Sequence, residues 1–85
     1  MKLFGYVKED KKAKHAALVA ECARKLREFG DTAKKKNARD RYYEKSRLAM
    51  QIVPNDLMID EVLDYMMKEK RAHRSEIYPE FWEID

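Results

Sequence analysis

Ser75-Glu76-Ile77-Tyr78-Pro79-Glu80-Phe81-Trp82-Glu83-Ile84-Asp85 holds three aromatics and two isoleucines in eleven residues. A solvated tail does not carry that much apolar surface. The stretch has to lie across whatever precedes it, or dock into a groove on another molecule, so the reading of residues 1–74 decides what fold it completes.

Those residues read as helices. Val19, Cys22, Ala23, Leu26 and Phe29 recur at helical spacing, with Ala16 one turn earlier, and Lys14, Glu21, Lys25 and Glu28 fall largely on the other side. This predicts a first helix over about residues 10–29, with Asp10 near its N-terminus and Lys25, Arg27 and Gly30 as its C-terminal signal. A second helix is expected over about 32–53, capped by Asp31 or Thr32, with Ala38, Tyr42, Ala49, Ile52 and Val53 on one stripe. Pro54-Asn55-Asp56 is a turn and cap. A third helix then follows over about 57–73, burying Met58, Ile59, Val62, Met66 and Leu63. Residues 1–7 contain Leu3, Phe4, Tyr6 and Val7 and read as a short extended arm.

The expected architecture is therefore an all-α three-helix bundle forming one domain over residues 1–85. The arm and the tail (75–85) close its core, pairing at most with each other as a minimal two-stranded element. At 85 residues, such a chain buries only roughly 60–65% of its unfolded surface, so a partner or a second copy could add burial.

Composition narrows the setting. The single cysteine, Cys22, rules out an intramolecular disulfide, and no apolar run reaches bilayer length. A cytoplasmic location without membrane contact is the expectation. The net charge of +3 conceals a split: residues 1–50 carry 15 Lys/Arg against 7 Asp/Glu, and residues 51–85 carry 4 against 9. Such polarity fits a basic contact surface, internal complementarity, or association of one copy's basic half with another's acidic half.

The densest functional signal is Lys34, Lys35, Lys36, Arg39, Arg41, Lys45 and Arg47, seven cations in fourteen residues, with Tyr43 among them. Cations on a helix face can neutralise phosphates and an aromatic can stack on a base. The same face suits an acidic protein partner, or simple solvation. Tyr78, Phe81 and Trp82 form the second candidate binding group, as anchors if exposed.

Catalytic and metal-binding patterns are not found. His15 and Cys22 stand seven residues apart on one helix face, about 10.5 Å along the axis, too far for a nucleophilic pair, and there is no second cysteine for a metal site. Asp60, Glu61 and Asp64 sit where a helix dipole favours acids. Those same acids argue against a helix-turn-helix whose third helix would enter a phosphate-lined groove. A ribbon-helix-helix fits poorly, because the first helix is too long.

The expected function is a non-catalytic regulatory, adaptor or inhibitor protein. It would bind a larger protein or nucleoprotein assembly through the basic face and the aromatic tail, without cofactor or metal. Direct, largely sequence-nonspecific DNA or RNA binding is the alternative, and a homodimeric or larger structural assembly is the third reading.

Overall fold

In the computed structural model, Leu3–Lys35 forms one helix, α1, of 33 residues. The structure describes the backbone of residues 3–36 and 42–85, with side chains from residue 11 onward within those ranges. The remaining elements are strand β1 (Tyr43–Glu44), helix α2 (Lys45–Met50), a 3-10 turn (Asp56–Met58), helix α3 (Ile59–Lys68), and strands β2 (Ala72–Arg74) and β3 (Phe81–Ile84).

The three strands form an antiparallel sheet of order β1-β3-β2. The chain is therefore mixed α/β, and the expected all-α bundle is wrong. The tail supplies the sheet's central strand. Tyr43 pairs with Trp82, and Ala72, His73 and Arg74 pair with Ile84, Glu83 and Trp82.

Each boundary that moved has a local cause. The expected extended arm is helical from Leu3, because Lys8–Leu18 is rich in Lys and Ala and has no breaker to separate it from the turns before it. Asp10 consequently lies inside the helix. Gly30 does not end α1. It serves as a point of close approach: a Cβ built there would stand 2.7 Å from Ile84 Cγ2 and 2.9 Å from Ile84 Cβ. The long second helix is not formed. Residues 32–35 belong to α1, and Tyr43-Glu44 pairs with β3, leaving a helix of only six residues. Cross-strand burial of Tyr43 against Trp82 outweighs the helical spacing of its neighbours.

The third helix stops at Lys68. Arg71 N–H donates to the Met66 carbonyl (2.8 Å) and Lys70 N–H to the Met67 carbonyl (3.0 Å), with Lys70 at φ 59°. This is a Schellman turn with lysine in the left-handed position that usually holds glycine, and it reverses the chain into β2. The β2–β3 connection is fixed by Pro79: Phe81 N–H donates to the Tyr78 carbonyl (2.8 Å) across Pro79-Glu80. Buried Ser75 accepts from Tyr78 N–H through its Oγ at 3.1 Å.

The core lies between α1 and α3 and the inner face of the sheet. Val19, Cys22, Ala23 and Leu26 come from α1, Ile59, Val62, Leu63 and Met66 from α3, Leu48 and Ile52 from α2 and the turn after it, and Tyr43, Ala72, Trp82 and Ile84 from the strands. The α1 and α3 stripes are those read from the sequence, apart from partly buried Phe29 and Met58 and exposed Ala16. Of the second stripe, Ile52 is buried but Val53 is 60% exposed, and Leu48, absent from it, is fully buried. The thiol of Cys22 is enclosed, and burial raises its pKa. Among the described residues, no helix is long and apolar enough to cross a membrane.

Candidate functional site

β3 alternates in burial. Trp82 and Ile84 point into the core, and Phe81 and Glu83 point to the other face. The register carries that alternation across the sheet, setting Glu44 beside Phe81 and His73 beside Glu83 on the outer face.

Two groups of side chains occupy that face. At one end, Tyr42 meets Tyr78 edge to face with centroids 5.3 Å apart, and Tyr78 meets Phe81 at 6.0 Å. Tyr78 is 48% exposed and its neighbour Ile77 is 70% exposed. Glu76 and Glu80 flank Tyr78 in the exposed hairpin loop. At the other end, His73 lies between two acids. Its Nδ1 is 3.0 Å from Asp85 Oδ2 and its Nε2 is 3.0 Å from Glu83 Oε2. Both ring nitrogens can donate only when the ring is an imidazolium. The bond to Asp85 is the main cause that raises the His73 pKa, with desolvation opposing it and the charge of Asp85 and the bond to Glu83 adding to it.

A raised folded-state pKa means that this contribution to stability is fully present below the unfolded-state value of about 6.5 and is lost as pH rises through the folded-state value. An NMR titration of the His73 ring should show a midpoint above about 6.5, moving down in Asp85→Asn. A midpoint at or below the ordinary value, unmoved by that change, would contradict the doubly bonded arrangement.

The basic residues named from the sequence are dispersed. Lys34, Lys35 and Lys36 are exposed at the C-terminal end of α1, not on a second helix. Arg39 and Arg41 lie outside the described residues. Lys45 is paired with Asp60 at 2.9 Å. The guanidinium of Arg47 lies over the rings of Tyr43 (5.4 Å) and Phe29 (5.7 Å), covering the core edge. Tyr43 is itself a core residue, in edge contact with Phe29 at 5.0 Å. In the aromatic tail, Trp82 is core, Phe81 is half-buried and Tyr78 is exposed.

What the structure does bring together is Tyr78 and Phe81 with Tyr42. Lys34, Lys35 and Lys36 precede Tyr42 in sequence, with residues 37–41 between them outside the described residues.

No protein family, curated protein or solved structure matches this chain. The functional reading therefore rests on the molecule's own surface.

Helical spacing placed Tyr42 in the core and Tyr43 on the contact face, and the structure exchanges them. In a strand, neighbouring residues face opposite ways, so a change of period swaps adjacent positions. The alternation of Phe81-Trp82-Glu83-Ile84 was the available signal for the outer face. No sequence signal pointed to the cluster of His73, Glu83 and Asp85, whose members are joined by strand register alone.

Proposed function

We propose that this is a non-catalytic adaptor or inhibitor protein. It binds a larger protein, or the protein part of a nucleoprotein assembly, through Tyr42, Tyr78 and Phe81, with the exposed Lys34, Lys35 and Lys36 adding positive charge. The observation that carries the reading is the aromatic group itself: Tyr78 in edge contact with both Tyr42 and Phe81, on the outer side of a sheet whose inner side already holds the core. Rings held by one another offer large amphipathic contact area with little further entropy to lose on binding. The lysines would steer encounter with an acidic partner more than they would add affinity.

A protein partner suits this face better than bare nucleic acid does. Glu44, Glu76, Glu80, Glu83 and Asp85 lie on or beside it, and phosphates would meet those carboxylates before reaching the rings. A cytoplasmic setting is part of the proposal, and the one cysteine, enclosed in the core, suits a reducing compartment.

The test places a photo-crosslinking phenylalanine analogue at position 78 and compares it with one at exposed Met67 on α3. A discrete protein adduct specific to position 78 is expected. Tyr78→Ala should weaken binding of the recovered partner by about tenfold, which is about 1.4 kcal/mol, at unchanged thermal stability. No position-78 adduct, together with tight binding of labelled oligonucleotide that falls steeply with salt, would replace this reading with direct nucleic-acid binding.

A further inference from the structure

We propose that the aromatic strip of Tyr42, Tyr78 and Phe81 takes a proline-rich segment of its partner in the polyproline II conformation, with an arginine or lysine of that segment received by Glu44, Glu76 and Glu80. This names the partner's chemistry for the contact face proposed above and rests on that reading.

The rings are set crosswise. Tyr78 stands nearly perpendicular to both neighbours, at 75° to Tyr42 and 90° to Phe81. A row of rings turned in this way presents faces and edges alternately, so the strip is corrugated. Ring faces carry the negative side of the quadrupole, against which the polarised C–H groups of a proline ring pack. Aromatic-lined grooves are where polyproline II segments dock, and such segments lose little entropy because they are already extended. The strip lies on the face of the sheet and not on its edge, so a partner reaching it cannot add to the sheet as a further strand.

The strip also has hydrogen bonds to give. Neither the Tyr42 nor the Tyr78 hydroxyl is bonded to another described residue, so each can donate. A polyproline II backbone makes no internal hydrogen bonds, and a proline offers a carbonyl acceptor but no N–H. Two free hydroxyl donors suit such a backbone. A docked helix has most of its carbonyls already engaged within itself.

Charge completes the match. Glu44, Glu76 and Glu80 are exposed, and none of them forms an ion pair among the described residues. Glu44 stands beside Phe81 in the strand register, and Glu76 and Glu80 flank Tyr78 in the hairpin loop. Glu83, next on the same face, is already taken up by His73. Carboxylates without partners around an aromatic strip select a cation on the docked segment, and a guanidinium can also stack on the rings. The selection is local. It is compatible with a partner that is acidic as a whole and that the lysines of α1 attract at longer range.

The test titrates isotopically labelled protein with decaproline carrying an arginine at each end and follows the amide shifts by NMR. A glycine-serine peptide of the same length with the same arginines is the control. The proline peptide should approach saturation by about 1 mM and move the signals of Tyr42, Tyr78 and Phe81 most, while the control should not saturate. Tyr78→Ala should weaken the binding about tenfold, and Tyr78→Phe, which keeps the ring and loses only the donor, should weaken it less. The triple variant E44Q/E76Q/E80Q should bind about threefold more weakly, the worth of an exposed ion pair, and should no longer distinguish the peptide from decaproline without arginine. No saturation by the proline peptide, equal binding of the control, or unchanged binding in Tyr78→Ala would each overturn the proposal. The adaptor reading is decided separately by the position-78 adduct: an adduct on a partner segment without prolines overturns this inference and leaves that reading in place.

Discussion

Trp82→Ala is expected to lower the free energy of unfolding by roughly 3–5 kcal/mol. The side chain is 7% exposed and sits in the central strand, paired with Tyr43 on one side and Arg74 on the other. The Arg74 guanidinium lies 5.3 Å from the ring and closes the outer edge of the site. Truncation would leave a cavity where α1, the sheet and α3 converge, and would strip both neighbours of their contact. A chain of this length has roughly 4–13 kcal/mol in total, so the variant should melt on the order of 20 °C lower. Because Trp82 is the only tryptophan, the measurement has to follow ellipticity during denaturation. A loss below about 1 kcal/mol, the range of surface substitutions, would mean that the ring is not packed in the core and would return it to the contact surface.

The buried stripes of α1 and α3 were legible because each spans at least two turns, so the helical period repeats within the element: Val19 to Leu26 in one, Ile59 to Met66 in the other. The sheet was not legible. Its strands have two, three and four residues, too few for a period of two to stand out from chance, and β1 lies in a segment whose helical spacing reads as well as its alternation. The end of α3 was hidden because its left-handed turn residue is Lys70, where a glycine would have marked the stop. The crowding of apolar residues in 75–85 did signal that this stretch must be covered. It could not signal that the stretch would be threaded between two earlier strands, because that depends on contacts remote in sequence.

The candidate site followed the same logic. Tyr78, Phe81 and Trp82 were named together as anchors if exposed, with core or contact surface left open, and of the three Tyr78 is the exposed one. Its ring partner Tyr42 was assigned to the core, because a helical period was applied where the chain enters a strand. The cations at Lys34–Lys36 and Lys45–Arg47 were read as one helix face. Lys34–Lys36 stand at the end of α1 and Lys45–Arg47 in α2, with strand β1 between them, so no single helix face presents them all.

Gly30→Ala gives the sharpest test of how the central strand is seated, because the expected sign is opposite to the usual one. Within an exposed helix the substitution stabilises by up to about 1 kcal/mol, since glycine has more backbone freedom to lose on folding. Gly30 is inside α1, so helix propensity alone predicts a gain. The structure predicts a loss. The added methyl would stand 2.7 Å from Ile84 Cγ2 and 2.9 Å from Ile84 Cβ, and the Cβ of a residue in the central strand cannot swing aside as a side-chain tip can. Relief requires α1 and β3 to separate, and overpacking of this kind costs roughly 1–3 kcal/mol. The net effect should be a destabilisation of about 2 kcal/mol, read from chemical denaturation. Ile84→Ala removes Cγ2 but also core volume, so it destabilises by itself. Combined with Gly30→Ala it should cost less than the two changes separately, with a coupling of roughly 0.5–3 kcal/mol. A rise in stability for Gly30→Ala would show that β3 does not rest on α1 at this point, and the packing of Trp82 against the helix would have to be reconsidered with it.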